Sequence, residues 1–159
     1  MPYVTSVSEL MDLLYACRGG RGLGTAALLR RSHPFDKELQ VAGLVHELGT
    51  LLCPGDRTFR ADLAAAAVRP LLGERVAMLV ALAERDEREE AGGSGEAREA
   101  AATLRQAREA AAAAGLDAGV LEDWQPVLEL VAAGAYRPAR PGNGNDPLGS
   151  PRGSIAGIQ

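Results

Sequence analysis

The sequence predicts an all-α protein, a helical bundle of about six to seven helices. Three observations carry this. Alanine and leucine, both strong helix formers, dominate the chain. Aromatic residues are only 4% and β-branched residues do not cluster, so strand signals are weak. Apolar residues recur at three- and four-residue spacing in one segment after another, the period of a helix with one buried face.

Each element follows from its own signals. Ser6 or Ser8 can cap a first helix that carries Leu10, Met11, Leu13, Leu14 and Cys17 and should stop at Gly19-Gly20. A second is expected over 23–31, ended by Ser32-His33-Pro34, because the residue before a proline resists the α region. The third starts near Asp36. Leu39, Val41, Ala42, Leu44, Val45, Leu48, Leu51 and Leu52 form a wide apolar stripe, so we expect one continuous, central, buried helix closed by Pro54-Gly55. A fourth covers 59–72, with Pro70 placed to kink or shorten it. After Gly73 a fifth runs over 74–89, with Val76, Leu79, Val80 and Ala83 on one face and a solvated, charged end from Glu84 to Glu90. Gly92-Gly93-Ser94-Gly95 reads as a loop. A sixth helix follows over 96–114. A seventh holds Val120, Leu121, Trp124, Val127, Leu128 and Val131 and is expected to bend at Pro126. Trp124 and Leu128 are four apart and should be core. Residues 138–159 are rich in Pro, Gly, Asn and Ser and read as a disordered tail behind a single domain, 1–137.

Composition narrows the function classes. The chain has 159 residues, 47% apolar and 24% charged, the balance of one globular domain. Its net charge of −4 argues against general nucleic-acid binding, which favours a basic surface. It leaves room for a small anionic ligand in a local basic pocket, or for a protein partner. No signal peptide and no run of about 18 apolar residues is apparent, so a soluble, cytoplasmic protein without a membrane partner is expected. Cys17 and Cys53 are then expected to be reduced thiols. Arg18-Gly19-Gly20-Arg21-Gly22-Leu23-Gly24 lacks the lysine and hydroxyl of a phosphate loop and follows a helix, not a strand.

One step carries chemistry. His46-Glu47 sits within the most apolar segment, where burying a charge is costly unless it is paired or bound to metal. Imidazole nitrogen and carboxylate oxygen both suit first-row metals. The surrounding stretch, Ser32 through Gly49, ends in Val41-Ala42-Gly43-Leu44-Val45-His46-Glu47-Leu48-Gly49. It resembles the core of the HD-domain superfamily. It looks closest to the mixed-valent diiron oxygenases, which include myo-inositol oxygenase and the oxygenases that cleave carbon–phosphorus bonds in aminophosphonates. The segments Arg21–Leu29, Arg60–Val80, Thr103–Ala111 and Leu121–Leu128 resemble further parts of that family, so the likeness spans about residues 20–130.

The resemblance implies an HD-like bundle and two irons held by four histidines and two carboxylates. Laid along this chain, it implies the histidines near Arg21, at His46, near Arg60 and near Ala83. The central aspartate becomes Glu47, and the last falls at Arg108 or Glu109. The chain has only two histidines, His33 and His46, and His33 lies in a turn and is expected at the surface. Arginine stays protonated and is no metal ligand. The expectation is therefore a degenerate relative, a pseudoenzyme acting as a binding or regulatory module with no cofactor. Arg21, Arg60 and Arg108 would stand where iron supplied positive charge, pairing with Glu47 or Glu109 or forming a small-anion pocket. Alternatively they face solvent, and Ala64-Ala65-Ala66-Ala67 and Ala83 fill the old site. Thr50 occupies the place of a substrate-contacting lysine in the inositol oxygenases. The alternative function is an active iron oxygenase or phosphohydrolase. Its reduced site would hold iron or another divalent metal on His46, Glu47 and one of Asp56, Asp62 or Glu109.

Overall fold

In the computed structural model, Ser6 starts the first helix: its hydroxyl accepts from the Glu9 amide at 3.1 Å, while the Glu9 carboxylate accepts from the Thr5 amide at 2.7 Å. This reciprocal arrangement satisfies amides that a helix start would otherwise leave without partners. The structure describes residues 3–17, 21–52, 57–84, 95–113 and 119–136. All the regular structure among them is helical: α1 (Val7–Cys17), α2 (Arg21–Ser32), α3 (Lys37–Val45), α4 (Leu48–Leu52), α5 (Arg57–Leu72), α6 (Glu74–Glu84), α7 (Gly95–Ala113), a 3-10 turn (Leu121–Trp124) and α8 (Gln125–Tyr136). The expected all-α bundle is what the chain forms. The acidic run after Glu84, the glycine loop before Gly95, Cys53, Asp56 and the tail from 138 lie outside the described residues.

α3 is the axis of the bundle. It packs on α2, α6, α7 and α8, and every residue from Leu39 to His46 is buried. The core gathers Leu10, Leu29, Leu39, Leu44, Leu48, Leu72, Leu79, Leu104, Trp124 and Leu128, each almost wholly removed from water. Trp124 and Leu128 are core, as expected. The Arg30 guanidinium lies 4.4 Å from the centroid of the Trp124 ring, closing that part of the core with a cation–π contact. Ala64, Ala65 and Ala67 are also core, on α5. Ahead of α1, the Val4 amide donates to the Ala67 carbonyl at 2.9 Å and ties the start of the described chain to α5.

Small residues set how closely α2 and α3 approach. A Cβ on Gly22 would run into the Leu44 carbonyl oxygen, and one on Gly43 would come within 2.7 Å of Leu29 Cδ1. α5 and α6 pack on one another and are joined at Gly73, whose φ of 96° is the left-handed conformation that glycine adopts without a Cβ penalty. Its amide donates to the Arg69 carbonyl at 2.9 Å, capping α5.

Arg75 joins three helix starts. It forks onto Asp36 at 2.8 and 2.9 Å and also reaches Glu38 and Glu96 at 3.3 and 2.6 Å. Asp36 is itself the N-cap of α3, accepting from the Leu39 amide at 3.1 Å.

Two expectations about the helices are corrected. The stripe from Leu39 to Leu52 does not form one helix: α3 ends at Val45 and α4 begins at Leu48. His46 Nδ1 donates to the Gly43 carbonyl at 2.6 Å, the acceptor an unbroken helix offers to the Glu47 amide. The chain then tightens, with the Thr50 amide donating to the Glu47 carbonyl at 3.0 Å. Pro126 does not bend a helix but sits in the first turn of α8, where its missing N–H costs nothing. α5 ends at Leu72, as expected, with Pro70 in its last turn.

Candidate functional site

The break after α3 turns two adjacent side chains in different directions. His46 lines a cavity of about 370 Å³, and Glu47 turns toward the start of α2. The cavity is walled by Arg21 and Thr25 from α2, by His46, by Ala83 from the end of α6, and by Arg105, Arg108, Glu109 and Ala112 from α7. Thr25 is oriented by its own helix, its hydroxyl donating to the Arg21 carbonyl at 2.7 Å. The bond from Nδ1 of His46 to the Gly43 carbonyl fixes the orientation of the ring at the cavity wall.

The α7 residues reach the cavity because they repeat at helical spacing. Arg105, Arg108, Glu109 and Ala112 are i, i+3, i+4 and i+7, one stripe beside the apolar stripe of Ala97, Ala101, Leu104 and Ala107. Two of them are anchored at the end of α6. Arg105 donates to the Leu82 carbonyl at 2.9 Å and Arg108 to the Ala83 carbonyl at 3.1 Å. Carbonyls in the last turn of a helix lack intrahelical donors and sit at its negative end, so cations there are stabilising. These bonds position the two guanidiniums at the end of α6.

Arg21 is placed against local preference. It is the first residue of α2, where a cation opposes the helix dipole. Glu47 compensates: its half-buried carboxylate accepts from the Gly22 amide and is attracted to Arg21. Burial nevertheless pushes the Glu47 carboxyl above its ordinary 4.5, outweighing the Gly22 amide and Arg21. A carboxyl raised on folding favours the folded state fully below its unfolded value, and that contribution is lost as pH rises through the folded value. Glu47→Gln, which keeps an acceptor for Gly22, should therefore gain in melting temperature over the native protein as pH rises from about 4 to about 7. A constant difference across that range in a thermal melt series would contradict the assignment. The same burial, with the Glu47 charge, pushes the Cys17 thiol up to about 11, so it stays protonated at neutral pH.

The residues singled out in the sequence divide between the cavity and the rest of the fold. Arg21, His46, Ala83, Arg108 and Glu109 come together around the cavity. Arg60 does not line it: its side chain and carbonyl pack on Gly49, joining α4 to α5. Thr50 is exposed and also outside it, as are the exposed Asp62 and His33. His33 Nδ1 lies 2.8 Å from the Ser32 hydroxyl. Arg105, which the sequence reading passed over, completes the set.

The donors do not fit a two-metal centre. His46 supplies the one imidazole in the cavity wall, Glu47 faces α2, and the places of the other implied histidines hold Arg21, Arg60 and Ala83. Among the described residues, no three His, Cys, Asp or Glu side chains come together as a metal-holding group. No helix among them is long and apolar enough to cross a membrane. No family model, curated protein or solved structure matches the chain.

Proposed function

We propose that this chain is a non-catalytic binding module of HD-like build that holds a small anion in the cavity between α2, α6 and α7. One observation carries the reading: among the described residues, three arginines, Arg21, Arg105 and Arg108, and one carboxylate, Glu109, line a cavity of about 370 Å³. Guanidiniums match the planar, multi-oxygen geometry of carboxylates and phosphates, and helix-anchored ones bind without first paying to be ordered. The net charge of −4 makes such a concentration of cations a local feature and not an overspill of surface charge.

The test is titration of the purified chain with phosphate, sulfate and short carboxylates, followed by calorimetry and by thermal shift. At least one should bind, with affinity falling as salt is raised. Arg108→Gln and Arg21→Gln should each weaken it by about tenfold or more, the loss expected for a charge-assisted contact. Failure of every anion to bind, or binding indifferent to both substitutions, sinks the reading. The competing proposal is an HD-type oxygenase or phosphohydrolase with a reduced site on His46. It requires stoichiometric iron, zinc or manganese in the purified protein, which elemental analysis measures directly.

A further inference from the structure

Phe35 is the most exposed large apolar side chain among the described residues, at 97%. Aromatic rings carry much apolar area and are usually at least half-buried, so a ring held almost wholly in water is the unusual case. The turn that holds it, between α2 and α3, is braced on both sides. The His33 carbonyl accepts from the Asp36 amide at 3.2 Å and from Nε2 of the buried Gln40 at 2.7 Å. Asp36 is fixed in turn by the Arg75 fork. An aromatic side chain on a pre-ordered turn binds with little further ordering cost, which is what an interface anchor needs.

The charges beside the ring indicate what it meets. Arg31 and Lys37 flank the turn and enter no ion pair among the described residues, whereas the neighbouring acids Asp36 and Glu38 are both taken up by Arg75. A complementary face exists on the same molecule. α1, the 3-10 turn and α8 carry Glu9, Asp12, Glu122, Asp123 and Glu129, all exposed, and no lysine or arginine. None of these acids enters an ion pair among the described residues. The elements adjoin, since α1 packs on α8 and the Tyr15 hydroxyl donates to Glu122. Between the acids, α8 exposes an apolar strip at four-residue spacing: Pro126, Leu130 and Gly134. Leu130 is 60% exposed, and nothing lies within 4 Å of a Cβ added to Gly134, which leaves open space beside Leu130 for a ring. Phe35 is too exposed to reach that strip within its own chain.

We propose that the Phe35 turn of one copy docks on the α8 strip of a second copy, with the ring beside Leu130 and Gly134 and with Arg31 and Lys37 facing the acids. Each partner brings a different surface to the contact. A copy defective in the turn and a copy defective in the strip therefore complement one another.

Sedimentation of the full chain from about 10 μM to about 1 mM tests this, the range that suits a small contact with one anchor. The average mass should rise across that range, and added salt should reverse the rise. Phe35→Ser and Leu130→Ser should each stay monomeric. Both positions are exposed, so melting temperatures should stay within a few degrees of native. An equimolar mixture of the two variants should associate again, because each supplies the surface that the other lacks. A native chain that stays monomeric throughout would overturn the proposal. So would association that survives both substitutions, or a mixture no heavier than its two components.

Discussion

Gly22→Val should leave the chain largely unfolded, or lower its stability by about 3 kcal/mol or more. Overpacking is tolerable where the obstructing atom belongs to a flexible side chain. Here the obstruction is the Leu44 carbonyl oxygen, backbone of the central helix α3, and Glu47 Oε1 lies only 3.2 Å beyond the same point. The helix pair would have to separate, opening a core of fully buried leucines. Separation would also break the Gly22–Glu47 bond, leaving a half-buried carboxylate without that donor. The contrasting substitution is Gly134→Ala in α8, where nothing lies within 4 Å of the added carbon. It should be neutral or stabilise by up to about 1 kcal/mol, since alanine costs less backbone entropy than glycine in a helix. Urea unfolding followed by circular dichroism measures both. Equal midpoints for the two variants would refute the packing account.

The second large effect is expected at Arg75. Arg75→Met keeps most of the aliphatic stem but removes the fork that binds Asp36 and the contacts to Glu38 and Glu96. Most of the loss should come from Asp36, whose side chain is 31% exposed against 27% for Arg75; Glu38 and Glu96, at 45% and 64%, are better screened and add little. A partly buried, bidentate, charge-assisted pair suggests a cost of about 2 kcal/mol at neutral pH. The pH dependence has a definite sign. Burial works to raise the Asp36 carboxyl, but the Arg75 fork and the Leu39 amide outweigh it and hold the group below its ordinary 3.8. A carboxyl lowered on folding stabilises the native state above its unfolded value and loses that contribution as pH falls through the folded one. The gap between native and Arg75→Met chains should therefore be steady near neutrality and close as pH drops below about 3.8. A gap that widened in acid would exclude this role.

Much of the bundle was legible because helical periodicity is a property of single segments. α1, α2, α5 and α7 stop or start within a few residues of where Ser6, Pro34, Gly73 and Gly95 place their ends. What stayed hidden depends on side chains acting across a turn. The apolar spacing runs unbroken from Val45 to Leu48, so nothing in the pattern announces that the His46 ring will bond the Gly43 carbonyl and divide the helix. The site was half legible. His46, Arg21, Arg108 and Glu109 followed from the resemblance, and so did Arg60, which packs on Gly49 instead. Arg105 could have been found without it. Arg105, Arg108, Glu109 and Ala112 share one helical stripe, and a polar stripe beside an apolar one on the same helix marks a face that is neither core nor open solvent.

The two arginines that close the end of α6 are also two walls of the cavity, and this double duty constrains how the protein can change. On the proposed anion-binding reading, retuning ligand preference at position 105 or 108 would fray the helix beneath it. No bond to α6 is seen for position 112 or for position 21 on α2, so on that reading drift in specificity should accumulate there first.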